Sequence, residues 1–432
     1  MKKNKYIAFF ILGTLLAGCS SKDQLKGKRE ELIISEYDED MIKTVDRSPV
    51  IVDSGNENNS EFTQPHFNPE HCYAPLKFSL APQKIWSSAL DFETSESIKM
   101  TAAPVVAEGK VFCMDAAGIV YAFDQKIGKR LWRKSTTLVG KDGQIGGAIA
   151  YDAGCLIVTS SFAEGFCLNA KDGNILWRIK LPAACKGDGI TVRNGKAFLM
   201  CSNSSLHCIN LANGKTLWSH SGMLTDSTFV GSSSVAISDG IVCFAYPSGE
   251  VFALLEETGT VLWDAMLSKF SLTNAARAFS HPRACPIVKD GVVYLAAANE
   301  QTSAFDIKSG KLLWRSDYGG IQTPVVNGNS IFIFNSKSEL ICLNRNTGHK
   351  RWAKKLTHKE DRLVDWSGMI PVKDHILVLS PIGYMQFVSM CDGKINKTIF
   401  IDEGSSGISV NPVIAGGTMY VPTNSGKLVA YR

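Results

Sequence analysis

The stretch GKRLW at residues 128–132 returns along the chain in one frame, with a Gly four residues before a Trp. The further copies are GNILW at 173–177, GKTLW at 214–218, GTVLW at 259–263, GKLLW at 310–314 and GHKRW at 348–352. Six of the eight Trp of this 432-residue chain occupy the frame, so the motif belongs to an internal repeat. Repeats of about 40–50 residues are typical of solenoids and β-propellers.

The content of one repeat decides between these architectures. Residues 103–135 divide into four short β-rich runs, APVVAEG, KVFCMDAAG, IVYAFDQKIG and KRLWRKS, most of which end at Gly. The second run is apolar with almost no alternation, as in CLIVTSS at 155–161, which is expected of a strand buried on both faces. No segment has the periodicity of an amphipathic helix. Four antiparallel strands in each repeat predict an all-β fold, the β-propeller, in which every blade is covered by two others.

The chain ends predict how the ring closes. The segment around Trp86 is an outer strand without three strands of its own, and residues 411–432 supply three strands without an outer one. A shared blade built from both ends would leave no open sheet edge. With a degenerate outer strand at 393–399, where Lys397 takes the Trp position, we predict an eight-bladed β-propeller of four-stranded antiparallel blades. Its repeat Trp residues are Trp86, Trp132, Trp177, Trp218, Trp263, Trp314 and Trp352.

The motif itself predicts a contact between blades. An Asp or Asn stands four residues before the Gly, as Asp124 does before Gly128. These residue types close tight turns, so the Gly is expected in the hairpin between the third and fourth strands. The Trp then falls at one position of each outer strand, where a large aromatic ring can seal the gap to the next blade.

Cysteine usage follows the repeat. The central position of the third strand holds Cys167, Cys208 and Cys342 in three repeats and Ala in others. Exchange with Ala predicts a small buried apolar residue. Disulfide pairing among the eleven cysteines other than Cys19 stays open as the alternative in an exported protein.

The N-terminus carries an export signal. Residues 1–18 combine three Lys, an apolar stretch and small residues directly before Cys19, which predicts a lipoprotein signal peptide cleaved before Cys19 and acylation of that residue, as with palmitate. A plain secretory peptide is the alternative. Ser20, rather than Asp, predicts sorting to the outer membrane. Without the three Lys the net charge falls from +5 to +2, which does not suggest a nucleic-acid partner.

Residues 19–80 separate this signal from the propeller, residues 81–432. They are rich in charged residues and in Asn, Ser and Pro, so we expect a lipid-anchored, largely flexible tether, within which SPVIVD at 48–53 is a short extended island. The stretch HFNPEHC at 66–72 offers His66, His71 and Cys72 as metal ligands. It has no second pair at ligand spacing, so no metal site and no cofactor are predicted.

The repeat Asp/Asn-x-x-x-Gly-x-x-x-Trp resembles that of quinoprotein-type eight-bladed propellers from residue 84 to 432. Together with LAGC before the mature N-terminus and the ending GKLVAYR, the chain resembles the BamB family of outer-membrane lipoproteins. The resemblance implies a non-enzymatic scaffold of the β-barrel assembly machine, the BAM complex, on the periplasmic face of the outer membrane. It also implies docking on the POTRA domains of BamA and assistance to nascent outer-membrane proteins during their insertion.

The family's docking loops would correspond to residues 219–234 and 264–285. The family carries an Arg in the first loop and an Asp-x-Asp pair in the second, whereas this chain has no Arg in the first and has His281 and Arg283 at the Asp positions. We therefore expect a reversed charge pattern, in which basic residues of the second loop meet acids on the partner. The candidate partner-binding residues are Phe229, Phe270, Arg277, Phe279, His281 and Arg283.

Two alternatives belong to other classes. Quinone-dependent dehydrogenases share the propeller, but they carry adjacent cysteines and a Ca²⁺ site of Glu, Asn and Asp, and this chain has no Cys-Cys pair. A propeller lipoprotein that serves another envelope partner is the second alternative. No catalytic residue is predicted.

Overall fold

A computed structural model describes residues 45–55, 57–91, 100–136, 146–185, 187–224, 233–267, 284–298, 301–357, 366–401 and 407–432. These residues form 32 β-strands in eight four-stranded antiparallel sheets. The sheets are the blades of a propeller, so the predicted all-β, eight-bladed fold is confirmed. Within these ranges no helix is long and apolar enough to cross a membrane.

The strands are numbered in chain order, and blades 1 to 7 each take four consecutive strands starting from β2. Blades 1 to 4 contain β2 (Val105–Ala107), β3 (Lys110–Met114), β4 (Ile119–Asp124), β5 (Arg130–Ser135), β6 (Ile149–Asp152), β7 (Cys155–Ser160), β8 (Glu164–Asn169), β9 (Ile175–Lys180), β10 (Ile190–Arg193), β11 (Lys196–Cys201), β12 (Ser205–Asn210), β13 (Thr216–Ser221), β14 (Ala236–Ser238), β15 (Ile241–Ala245), β16 (Glu250–Leu255) and β17 (Val261–Met266). Blades 5 to 7 contain β18 (Ile287–Lys289), β19 (Val292–Ala297), β20 (Gln301–Asp306), β21 (Leu312–Ser316), β22 (Val325–Asn327), β23 (Ser330–Phe334), β24 (Glu339–Asn344), β25 (Lys350–Lys355), β26 (Ser367–Val372), β27 (His375–Leu379), β28 (Tyr384–Ser389) and β29 (Ile395–Phe400). Blade 8 contains β30 (Val413–Ala415), β31 (Thr418–Thr423), β32 (Lys427–Tyr431) and β1 (Lys84–Ala89).

Blade 8 closes the ring with both ends of the chain. Its strand order is β1-β32-β31-β30, so the N-terminal strand is the outer one. Gln83 and Arg432 exchange two backbone hydrogen bonds of 2.7 and 2.8 Å beside this pair. The predicted closure by N- and C-terminal strands is confirmed, because hydrogen bonds within blade 8 join the two ends of the chain.

The motif Trp residues join each blade to the next. In blade 3, Trp218 Nε1 donates a hydrogen bond to Glu256 O of blade 4 at 3.0 Å. A Cβ on Gly259, whose φ is +70°, would lie 2.6 Å from the Trp218 ring, so only Gly fits there. The same pair of contacts occurs at Trp86–Gly128, Trp132–Gly173, Trp177–Gly214, Trp218–Gly259, Trp263–Gly310, Trp314–Gly348 and Trp352–Gly393.

The junction between blades 7 and 8 is built differently. Lys397 of β29 pairs with Phe387 in the register that the motif Trp takes in other blades. Blade 8 has no hairpin Gly for a Trp to cover, because its third and fourth strands come from opposite chain ends. Leu76 and Phe78, which are 0% and 2% exposed, fill the junction from the N-terminal segment, in one apolar cluster with residues of both blades.

Residues 57–77, called the plug, cross the centre of the ring. The composition assigns them to the tether, but they bond to the first strand of seven blades in turn with distances of 2.7–2.9 Å. These strands carry unpaired edge groups, which polar side chains and backbone of the plug satisfy. The bonds run from Asn59 Nδ2 to Ile414 O, between Phe62 and Val106 in both directions, from Tyr151 N to Thr63 O, from Val192 N to Gln64 Oε1, from Ile237 N to Pro69 O, from Val288 N to Glu70 O and from Leu76 N to Pro371 O.

Residues 45–53, called the strap, lie on the remaining blade, blade 6. Asp46 accepts hydrogen bonds from Asn344 and Arg351, and the Arg351 side chain is only 3% exposed. The strap includes the predicted island at 48–53, where Asp53 N donates to Asn327 Oδ1 at 3.0 Å. Residues 19–44 and residue 56 of the expected tether lie outside the described residues, while 45–55 and 57–80 pack on the propeller.

We expect Asp46→Ala to lower the free energy of unfolding by about 1–3 kcal/mol, because it leaves the Arg351 guanidinium buried without its anionic partner. Hydrogen exchange should also become faster across residues 45–53. The control is Arg47→Ala, which removes an exposed charge from the same segment and should change stability by less than about 0.5 kcal/mol.

The Asp46 contribution should depend on pH. Partial burial alone would raise the pKa of Asp46, but hydrogen bonds from Asn344 and Ser48 and the charge of Arg351 hold it well below its usual value. The stability difference between wild type and Asp46→Ala is therefore complete above about pH 4, the usual carboxyl pKa, and shrinks as the pH falls below it. Equal exchange rates for the two proteins at pH 7 would contradict this role.

The cysteines divide into two kinds. Cys155 and Cys167, on β7 and β8, are joined by a disulfide, which corrects the simple apolar interpretation of Cys167. Cys208 and Cys342 are free and fully buried, as expected of small apolar residues. Nine cysteines of the described ranges are free, and seven of these are buried.

Candidate functional site

The residues predicted to bind partners or lipid lie outside the described residues. They are Cys19, Phe229, Phe270, Arg277, Phe279, His281 and Arg283. Two of their segments connect fourth strands to the first strands of the next blades, β13 to β14 and β17 to β18. Next to the first of these segments, Met223 and Leu224 are 57% and 79% exposed. The described structure therefore contributes an exposed apolar pair beside that connection.

A second candidate site lies at the ring centre, where the plug makes a tight turn. His66 and His71 have φ values of +60° and +57°, and Phe67 between them has +75°. Such left-handed conformations cost about 1–2 kcal/mol for each non-Gly residue, so surrounding contacts must hold the turn. The turn brings the two imidazoles together, with ring centroids 5.1 Å apart.

His66 lies between acidic and sulfur groups from two blades. Asp188 stands just before β10, and Cys285 stands just before β18. His66 Nε2 is 3.4 Å from Asp188 Oδ2, and the ligand atoms of all three side chains lie within 4.8 Å of one another. The His66 side chain is 13% exposed and the Asp188 side chain 34%, while Cys285 is buried. One His, one carboxylate and one thiol thus converge from separate elements.

Ser234 and His71 surround the sulfur. Ser234 N and Ser234 Oγ each lie 3.2 Å from Cys285 Sγ as donors, and Ser234 Oγ also lies 3.3 Å from His71 Nε2. His71 Nδ1 is 2.7 Å from Pro286 O. A carbonyl only accepts, so His71 Nδ1 carries the proton and Nε2 is an acceptor in the neutral ring.

The charges of the cluster depend on one another. Burial alone would lower the pKa of His66, but the Cys285 thiolate and the Asp188 carboxylate raise it well above its usual value. Burial opposes the Cys285 thiolate, yet the charge of His66 holds the pKa of Cys285 below its usual value. Burial and the charge of His66 lower the pKa of His71 to about 3, so this ring is neutral at pH 7. The directions of these shifts favour the charged forms of His66 and Cys285 and the neutral form of His71.

Space beside the cluster is small. A cavity of about 30 Å³ is lined by His66, His71 and Tyr73 of the plug and by residues of blades 6 to 8. This volume is large enough for one water molecule or ion, but it is far below the roughly 300–1,000 Å³ of pockets for organic ligands. A wider hollow of about 390 Å³ lies elsewhere, beside Lys77, Lys373 and Arg432.

Sequence reasoning found part of this cluster. The stretch HFNPEHC identified His66 and His71, and it also offered Cys72, which is not among the three convergent residues. Asp188, Ser234 and Cys285 were missed, because single residues on three different blades give no local spacing signal. Their common feature is a position just before a first strand, which becomes visible only once the blades are aligned.

A family model described as "Outer membrane protein assembly factor BamB" matches residues 83–143 and 120–354. The chain belongs to the BamB family. Among its relatives, the BamB of Yersinia pestis is 24% identical over 358 residues, which cover 81% of this chain and 89% of that protein.

Solved structures share the fold of this BamB-family chain. The crystal structure of BamB from Moraxella catarrhalis matches with a TM-score of 0.70 at 15% identity, covering 82% of this chain and all of that one. The quinohemoprotein alcohol dehydrogenase from Comamonas testosteroni matches with a TM-score of 0.65 at 12% identity, covering 92% and 82%. At these identities the likeness shows the fold alone, so it does not separate scaffold from enzyme.

Proposed function

We propose that this chain is a non-enzymatic scaffold lipoprotein of the BAM complex, anchored through Cys19 on the periplasmic face of the outer membrane. The observation that carries the proposal is the match to the BamB family model from residue 83 to 354, which covers β1 to β25. The export signal before Cys19 supports the anchor.

The proposed partner is BamA, through its POTRA domains. Arg277 and Arg283 supply positive charge in the connection between β17 and β18, and acidic groups on the partner would complement them. Phe229, Phe270 and Phe279 are proposed as aromatic anchors, with His281 beside them. Exposed Met223 and Leu224 would extend the apolar part of this surface.

The proposed clients are nascent outer-membrane proteins. In the described part of the chain each fourth strand pairs on one side only, so its outer edge is open to an extended segment. A Leu precedes five of the seven motif Trp residues and is 42–58% exposed on these strands, at Leu131, Leu176, Leu217, Leu262 and Leu313. The strap already uses such an edge, since Asp46 N donates to Lys350 O of β25 at 2.9 Å.

The filled centre of the ring supports a scaffold rather than a quinone-dependent dehydrogenase. The plug bonds to seven first strands and leaves a cavity of about 30 Å³ beside its histidines. The lining of the wider hollow includes Lys77, Lys373, Arg432, Asn58 and Phe78 but no carboxylate side chain, unlike the Ca²⁺ site of those enzymes. These features favour binding at loops and edges over chemistry at the axis.

The test is co-purification from envelopes solubilised in mild detergent, with a C-terminal tag on the full chain. We expect BamA with the wild type and loss of most of it with Arg277→Glu/Arg283→Glu, because charge reversal places like charges together. The matched control is Lys126→Glu/Lys171→Glu, two exposed Lys in hairpins at the opposite end of the blades. It should retain BamA.

Each result has a distinct meaning. BamA with wild type and control but not with the Arg double variant supports both partner and docking segment. BamA with all three proteins would show that docking lies elsewhere. Reproducible absence of BamA from the wild-type sample would overturn the proposed partner and favour another envelope protein.

A further inference from the structure

One hydroxyl proton of the central cluster lies near two acceptors. The Ser234 hydroxyl has one proton, and both Cys285 Sγ and His71 Nε2 lie within 3.3 Å of it. His66 Nε2 carries at most one proton, and it faces Asp188 Oδ2 at 3.4 Å and Thr323 Oγ1 at 3.5 Å. A sulfur, a carboxylate and an imidazole nitrogen therefore share one small space that a cation would suit.

The donor set selects a class of cation. Imidazole nitrogen, thiolate sulfur and carboxylate oxygen together are ligands of Zn²⁺ and related divalent transition metals, whereas Ca²⁺ and Mg²⁺ take oxygen alone. Zinc bonds of about 2.0–2.3 Å in a tetrahedron place ligand atoms roughly 3.3–3.6 Å apart. The 3.4 Å between His66 Nε2 and Asp188 Oδ2 fits this spacing, and all three ligand atoms lie within 4.8 Å.

The surrounding residues fit the same ion. Ser234 directs two donors at Cys285 Sγ, and Thr323 Oγ1 accepts from Cys285 N at 3.1 Å, so the sulfur is held in place. Outer hydrogen bonds of this kind orient metal ligands. The hydrogen bond from His71 Nδ1 to Pro286 O leaves His71 Nε2 facing Ser234 Oγ, so this ring supports the residue that holds the sulfur.

We propose that His66, Asp188 and Cys285 form a site for one Zn²⁺-class divalent cation, with a fourth position for water. The ion replaces the proton that His66 and the Cys285 thiol otherwise hold between them. The ion would link the plug to the residues just before the first strands of blades 3 and 5, so it would fasten the plug in the ring. This site is independent of the proposed docking on BamA.

The first test uses the purified full-length protein, stripped with chelator and titrated with Zn²⁺ against a chromophoric competitor. We expect one tightly bound Zn²⁺ per chain and slower hydrogen exchange of residues 57–77 in the loaded protein, because binding stabilises only the folded plug. Titration with Co²⁺ should produce a thiolate-to-cobalt charge-transfer absorption, which reports sulfur ligation directly.

Variants then locate the site. Cys285→Ser and His66→Gln should each weaken Zn²⁺ binding by more than about 100-fold, beyond the roughly 10–100-fold that loss of an outer hydrogen bond causes. The control is Cys391→Ser, which removes an exposed free thiol and should leave the affinity unchanged. Circular dichroism and urea unfolding establish that each variant is folded.

Three results would overturn the proposal: no binding by the wild type above the competitor, no charge-transfer absorption with Co²⁺, or unchanged affinity in Cys285→Ser. The Co²⁺ spectrum of the wild type decides the matter even where both ligand variants fail to fold. Its absence would leave the cluster as an imidazolium–thiolate pair without a metal.

Discussion

Trp218→Ala is expected to lower the free energy of unfolding by about 3–5 kcal/mol, as large truncations of buried aromatic residues do. The Trp218 ring is 9% exposed and packs 5.8 Å from the Phe198 ring, centroid to centroid. Its loss removes the contact with Gly259 and the hydrogen bond to Glu256 O, which together join blade 3 to blade 4. Denaturant unfolding monitored by circular dichroism measures the change.

A glycine pair isolates the ring contact from backbone strain. Gly259 and Gly240 have φ values of +70° and +73°, but a Cβ on Gly240 meets nothing within 4 Å. Gly240→Ala should therefore cost about 1–2 kcal/mol for its left-handed backbone, and Gly259→Ala a further 1–3 kcal/mol, roughly, for crowding Trp218. In the Trp218→Ala background, Gly240→Ala and Gly259→Ala should lower the free energy of unfolding by equal amounts. Equal losses of stability for Gly240→Ala and Gly259→Ala in the wild-type background would disprove the contact between Gly259 and the Trp218 ring.

Phe78→Ala is expected to cost about 3–5 kcal/mol as well, although Phe78 belongs to the segment that composition assigns to a tether. Phe78 is 2% exposed and packs with Val372 of blade 7 and Met419 of blade 8, at the junction that has no motif Trp. Removing its ring leaves a cavity at the only such junction in the described ring. Hydrogen exchange should therefore accelerate in β26–β32 before it does in blades 2 to 5.

The matched control is Phe400→Ala, because Phe400 lies on β29 of blade 7 and is 51% exposed. It should change the free energy of unfolding by less than about 1 kcal/mol. Similar costs for the two Phe variants, or exchange that accelerates equally in all blades, would show that Phe78 does not hold the junction.

Periodic features of the sequence determined the architecture. The Gly-to-Trp frame gave the number of outer strands, and the unmatched strands around Trp86 and after residue 411 gave the closure. Such features are predictable because each repeat must solve the same packing problem, so the same residues recur at the same places. The family was predicted from the same motif together with LAGC before Cys19 and the ending GKLVAYR, and the match to the family model confirms it.

The plug was beyond sequence reasoning for a physical reason. Asn59, Gln64 and Thr63 are polar, and polar composition usually indicates a chain that cannot bury itself. Their partners are the backbone edges of β30, β10 and β6, which exist only after the ring has formed. Amino-acid composition indicates how much apolar area a segment can bury. It does not indicate which backbone groups of other strands lack a hydrogen-bond partner.

The central cluster was decided by the tertiary structure alone. His66 is separated from Asp188 and from Cys285 by two and four complete blades of sequence, and only the circular arrangement of the blades brings them within 4.8 Å. By itself, the sequence determined the eight-bladed ring, because the ring depends on local order and on repetition, and it predicted a lipoprotein-type export signal before the ring. Only the tertiary structure decided what fills the centre of the ring, because that depends on which side chains the first strands of different blades bring together.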